Sequence, residues 1–175
     1  VSQQGRVVAR LPVRLRVRPA TLPRAAVSFF AYYDRDSLAE RFEDPDAVER
    51  HLSRMLHADR VDAVTALTTA AAADRIHDAL TGALFTPERG YRGPGEGRAP
   101  EIAILGAYGS LGAPSNASAR LAIDLARKIP DEIDDLFLYA VDEQCESPLG
   151  PDWKRALASA DAPSRLKVGH TCGRD

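Results

Sequence analysis

Five apolar runs punctuate the chain from residue 25 onward, and segments with helical spacing separate them. The runs are "AAVSFFAYYD" (25–34), "RVDAVTALTT" (60–69), "EIAILGAYG" (101–109), "LFLYAVDE" (136–143) and "RLKVGHTC" (165–172). Between the first two, Asp44 is placed to cap a helix with Pro45 in its first turn and Val48, Leu52, Met55 and Leu56 on one face. An Ala-rich stretch with Ile76, Leu80 and Leu84 inward follows the second. Residues 114–129, opened by Ser115 or Asn116, follow the third, and "DWKRALASA" follows the fourth. Strand and helix in strict alternation require a parallel α/β architecture. An open doubly wound sheet brings a glycine-rich phosphate turn after its first strand, and "YYDRDS" has no glycine. The pattern therefore predicts a (β/α)8 TIM barrel. Such a barrel takes about 250 residues, so the chain is expected to hold a partial one, its first five strands.

Upstream, residues 7–18 follow a different rhythm. Leu11, Val13, Leu15 and Val17 alternate with Arg10, Arg14, Arg16 and Arg18, as in a half-buried antiparallel strand with a solvated basic face. Pro12 puts it at an edge or bulge. "PATLPR" then breaks the pattern. The expected organisation is the end of a β domain at 1–19, a linker at 20–24, and the barrel segment at 25–175.

With 45% hydrophobic residues and a formal charge of -2, the chain reads as globular, with no concentrated basic face for nucleic acid. No apolar run approaches the roughly 18 residues that cross a bilayer. The glycine-rich "GYRGPGEG" lacks the Lys-Ser/Thr of a phosphate cradle and reads as a loop. No cofactor is expected.

In a barrel, reactive groups stand where strands run into the following loops. Those positions hold Asp34, Tyr108, the adjacent pair Asp142 and Glu143, and His170. Polar residues at strand ends are ordinary, but two adjacent carboxylates at the mouth of an apolar strand are not. They repel each other and lose solvation, so one holds its proton more tightly, as a general acid must. Neighbours in a regular strand point to opposite faces, so both enter one pocket only where the strand ends or kinks. Tyr108, between Gly106 and Gly109, is a candidate to stack on or hydrogen-bond a ligand.

An Asp-Glu pair closing a fourth barrel strand is similar to that of substrate-assisted hexosaminidases. The run "LPVRLRVRPATLPRAAVSFFAYYD" together with "LFLYAVDE" resembles glycoside hydrolase family 123. That resemblance implies an N-terminal β-sandwich ahead of a catalytic barrel. It also implies release of a terminal β-linked N-acetylhexosamine, by family analogy N-acetylgalactosamine, from an extracytoplasmic glycan partner. Glu143 would be the acid/base, and Asp142 would orient the 2-acetamido group, whose oxygen attacks the anomeric carbon. Asp34, Tyr108 and His170 would be substrate-binding. The sequence departs from the family at Gln144, where a proline is common.

Other readings stay open. Cys145 and Cys172 follow neighbouring strands and are candidates for a disulfide, or for two separate thiols. A zinc site from Cys145, His170 and Cys172 has tight spacing and no C-x-x-C partner, so no metal is expected. Asn116-Ala-Ser118 matches a glycosylation sequon but sits at a helix cap. Trp153 is expected in the core. A non-catalytic carbohydrate-binding or scaffold protein on a degenerate barrel remains the alternative function.

Overall fold

The structure, a computed structural model, describes residues 2–3, 6–7, 28–142, 144 and 146–170. The linker, most of the arginine-striped strand, Glu143, Cys145, Cys172 and the side chain of His170 lie outside the described residues. At the start, β1 (Ser2–Gln3) and β2 (Arg6–Val7) pair antiparallel.

The rest is a mixed α/β arrangement with small parallel sheets. β3 (Phe30–Tyr32) leads into α1 (Arg35–Arg41) and α2 (Pro45–Ala58), and β4 (Asp62–Val64) returns parallel to β3. After α3 (Ala70–Arg75) and α4 (His77–Leu80), β5 (Ile102–Leu105) starts a second parallel sheet. α5 (Asn116–Ala126) connects β5 to β6 (Asp135–Val141), and α6 (Leu149–Ser159) connects β6 to β7 (Leu166–His170).

Two contacts tie the sheets together. Beyond β4, Leu67 forms a parallel bridge with Leu105: its N–H donates to the Ile104 carbonyl at 3.2 Å, and Gly106 N–H donates to the Leu67 carbonyl at 2.9 Å. At the other end, the buried Asp62 carboxylate accepts from Glu101 N–H at 2.6 Å and Ile102 N–H at 3.2 Å. A side chain thus does at the foot of β5 what a ladder carbonyl does elsewhere. Burial raises the Asp62 pKa, and the two backbone bonds oppose that rise.

The helices begin where polar caps permit. Asp44 accepts from Ala47 N–H at 2.8 Å with Pro45 in the first turn, and Ser115 and Ser118 bond reciprocally across the first turn of α5. At the far end of α5, Arg165 donates to the carbonyls of Ala126, Ile129 and Pro130 at 2.6–2.9 Å, satisfying acceptors a helix end leaves open. The Ala-rich stretch is not one helix. It breaks at Ile76, and Gly82 then turns left-handed (φ 79°), where a Cβ would lie 2.5 Å from the Gly97 carbonyl oxygen. The 90s loop thus runs too close to Gly82 for any side chain to stand there.

The strands have two unlike faces. On one, Leu105, Leu136, Leu138, Ala140 and Leu166 pack under α5 and α6 against Ile123, Leu157 and a fully buried Trp153, the core position expected of it. On the other, Val64, Ile102 and Ile104 pack with Tyr32, Phe137 and Tyr139. Gly169 makes room there, since a Cβ would meet the Phe137 ring at 2.7 Å.

The Asp62 bridge yields a two-variant test. Asp62→Ala strands two backbone donors and should cost about 1–3 kcal/mol. Asp62→Asn keeps an acceptor without a buried charge and should stay within about 1 kcal/mol of the parent. Denaturant unfolding of both variants checks this; equal losses would remove the bridge from the account.

Candidate functional site

The site is organised by an irregularity in β6. Tyr139 pairs with Gly169, but Val141 pairs with His170, so β6 carries one extra residue, Ala140, against β7. In a regular strand Val141 would share a face with Phe137 and Tyr139. Instead Val141 is buried with Leu138 and Ala140 against the helices. The bulge shifts the parity, as bulges do. Asp142 thereby reaches the face of Tyr139, whose hydroxyl donates to Asp142 Oδ1 at 2.6 Å. That length is typical of a hydroxyl bonded to a carboxylate.

Tyr139 belongs to an aromatic trio. Its ring meets Tyr108 edge-on at 5.6 Å, and Tyr108 meets Tyr32 at 5.5 Å and 87°. Each contact has the edge-to-face geometry favoured by ring quadrupoles. Tyr108 is 59% exposed although large and apolar in body. Its backbone is left-handed (φ 51°), a conformation costing a non-glycine residue roughly 1–2 kcal/mol. Gly109 brings the same loop onto the bulge: a Cβ there would sit 3.3 Å from the Ala140 carbonyl oxygen. A strained, exposed aromatic ring at a strand end points to function more than to packing.

Of the residues singled out in the sequence, Tyr108 and Asp142 are brought together through Tyr139. Asp34 sits at the neighbouring strand end, where Oδ1 accepts from Asp36 N–H at 2.8 Å and Ser37 N–H at 3.3 Å, capping α1. His170 ends β7, paired beside the bulge. Sequence reading passed over Tyr32 and Tyr139. Each lies two residues from another aromatic in its strand, Phe30 and Phe137, and strict period-two reading would have put them on the loop-ward inner face.

Beneath Asp34 lies a buried polar knot. Glu49 accepts from the Tyr33 hydroxyl at 2.8 Å and from Arg75 Nε at 2.9 Å, and Arg35 Nε stands 3.6 Å away. Burial first, and the Glu49 charge second, push the Tyr33 phenol well above its ordinary value. These bonds fasten β3 to α2 and α3, so the loops after β3 and β4 share one anchor. Above it opens a pocket of about 540 Å³ lined by Tyr32, Tyr108, Asp34, Arg35, Arg75 and the 65–69 segment, among others. Among the described residues, no group of three or more His, Cys, Asp or Glu is placed to hold a metal ion, and no helix is long and apolar enough to cross a membrane. The chain matches no protein-family model, no curated protein and no solved structure.

Two outcomes are expected here. Tyr108→Gly relieves backbone strain of roughly 1–2 kcal/mol and loses two ring contacts of about 0.5–1.5 kcal/mol each, so stability should fall by no more than about 2 kcal/mol. A loss above about 3 kcal/mol, on the scale of truncating a core aromatic, would make Tyr108 a core residue instead. The second concerns pH. The folded-state value of Tyr33 lies above the unfolded value of about 10, so its contribution is complete below pH 10 and drains away as pH rises beyond it. Tyr33→Phe should weaken the protein at pH 7 and flatten its loss of stability above pH 10, as read by denaturant unfolding across that range.

Proposed function

We propose that this chain carries part of the catalytic barrel of a glycoside hydrolase that removes a terminal β-linked N-acetylhexosamine with help from the substrate's own acetamido group. The observation that carries the reading is the bulge that turns Asp142 onto the tyrosine face beside the exposed Tyr108 ring. Sugar sites pair carboxylates with aromatic rings, because pyranose faces are apolar while their edges are polar. Strand order also supports the reading. β3–β4 and β5–β6–β7 form two parallel sheets, each in sequence order and joined by the parallel Leu67–Leu105 bridge, with helices packed on one face of the second sheet and aromatic residues on the other, an arrangement that part of a barrel would share.

The chemistry follows from the residue types. Asp142, held by Tyr139, accepts the acetamido N–H and steadies positive charge growing on that nitrogen. The acetamido oxygen attacks the anomeric carbon as Glu143 protonates the departing glycosidic oxygen, giving an oxazolinium ion. Glu143 then takes a proton from water, which opens the ring with net retention. No protein nucleophile is consumed. The glycan partner, the preference for N-acetylgalactosamine and an extracytoplasmic location belong to the same reading and rest on the family resemblance.

The test uses the full-length protein with aryl β-N-acetylgalactosaminide and aryl β-N-acetylglucosaminide. Glu143→Gln should lower kcat/KM by about 10²–10⁴-fold, the usual span for a general acid. Asp142→Asn should reduce kcat far more than it raises KM. Turnover unchanged in both variants, or absent in the folded parent, would leave a carbohydrate-binding role on the same tyrosines.

A further inference from the structure

Helix α2 turns a polar stripe inward. Its buried residues are Glu49, Ser53 and His57, one turn apart, while Met55 on the apolar side is 49% exposed. A buried polar stripe is tolerated where each group finds a partner. Glu49 has Tyr33 and Arg75, and Ser53 Oγ donates to the Glu49 carbonyl at 2.9 Å. His57 lies flat on Phe85, ring centroids 3.8 Å apart, with Nε2 3.0 Å from the Gly95 carbonyl oxygen.

Two polar atoms at the lower end of this stripe are left over. A carbonyl only accepts, so Nε2 carries the proton in its bond, and Nδ1 of a neutral ring is then an acceptor. Among the described residues, Nδ1 has no hydrogen-bond partner. The same holds for Asp62 Oδ1, because both backbone donors at the foot of β5 go to Oδ2. Asp62, His57 and Ser53 line one small cavity, whose apolar wall includes Ile76, Leu80 and Phe85. Burial raises the Asp62 pKa, and His57 is among the groups that oppose the rise, so the two side chains lie within electrostatic reach.

Size and chemistry select the occupant. The volume of about 20 Å³ exceeds the roughly 10–15 Å³ that one water needs, and it is far below the ~300–1,000 Å³ of small-ligand sites. Asp62 Oδ1, His57 Nδ1 and the lone pairs of Ser53 Oγ are all acceptors. The Ser53 and Tyr33 hydroxyl protons are already committed to Glu49. The occupant must therefore donate more than once from a single heavy atom.

We propose that this cavity is a binding site for one ordered water, which donates one hydrogen bond to Asp62 Oδ1 and the other to His57 Nδ1. The water completes a chain of hydrogen bonds that runs from the Glu101 and Ile102 N–H groups through Asp62 and His57 to the Gly95 carbonyl. It thereby fastens the loop ahead of β5 to the first residues of that strand and to α2.

A crystal structure of the full-length protein, at a resolution that shows ordered water, tests the site. One density peak is expected within about 3.2 Å of both Asp62 Oδ1 and His57 Nδ1, unchanged when potassium replaces sodium in the crystals. No peak, a direct bond between the two side chains, or a peak whose height follows the cation overturns the site. Oxygen-17 relaxation dispersion, which counts long-lived internal waters, supplies a second reading in solution. Ala63→Val adds two methyl groups to the cavity wall and leaves every partner atom in place, so the variant should hold one long-lived water fewer than the parent. An equal count in the two folded proteins overturns the proposal, and should the variant fail to fold, the parent crystal structure decides alone.

Discussion

One extra residue in one strand governs the candidate site. Without the bulge at Ala140, Val141 would face the tyrosines and Asp142 would face the helices, among Leu138 and Trp153. A carboxylate there would lose its water with no partner to replace it, at a cost of several kcal/mol. The bulge resolves both problems in one step. It buries Val141 in the apolar layer and delivers Asp142 to a hydroxyl donor. The loop after β5 is fitted to the same spot, since Gly109 lies against the Ala140 carbonyl and keeps Tyr108 beside Tyr139.

The surroundings supply rigidity. The trio is backed by Val64, Ile102 and Ile104, so its rings stand on packed apolar side chains. The loops after β3 and β4 are pinned from below by Glu49, which binds a phenol and a guanidinium at once. A carboxylate buried this deeply is tolerated because those partners replace its hydration. Strain at Tyr108 is thus held by structure on both sides, and an exposed ring is kept at a fixed height above the strand ends.

Much of this was legible in the sequence because strand and helix alternate with strong periodicity. Each of the five apolar runs holds an observed strand, and Asp44 and Ser115 cap the helices that follow them. The parallel α/β class follows directly. Less legible were features set by long-range contacts. The break at Ile76, and the left-handed turn at Gly82 against the Gly97 backbone, lie in an Ala-rich stretch whose helix propensity carries no sign of them. α1 was hidden because Asp34 reads as a strand-end acid, whereas it serves as the cap. At the site, Asp142 and Tyr108 stood out by position. Tyr139 and Tyr32 did not, since a tyrosine inside an apolar run looks like core until strand parity is counted. The bulge itself has no sequence mark, because Ala140 is an ordinary strand residue.

The most direct test of the central claim is the affinity of the full-length protein for a thiazoline analogue of the bicyclic oxazolinium intermediate. The analogue reproduces the fused ring that only acetamido participation creates, so it reports on Asp142 rather than on sugar binding in general. The account predicts binding at least 100-fold tighter than that of the parent N-acetylhexosamine, with most of that gain lost in Asp142→Asn. Affinity no better than the parent sugar's, or a gain that survives Asp142→Asn, would contradict it.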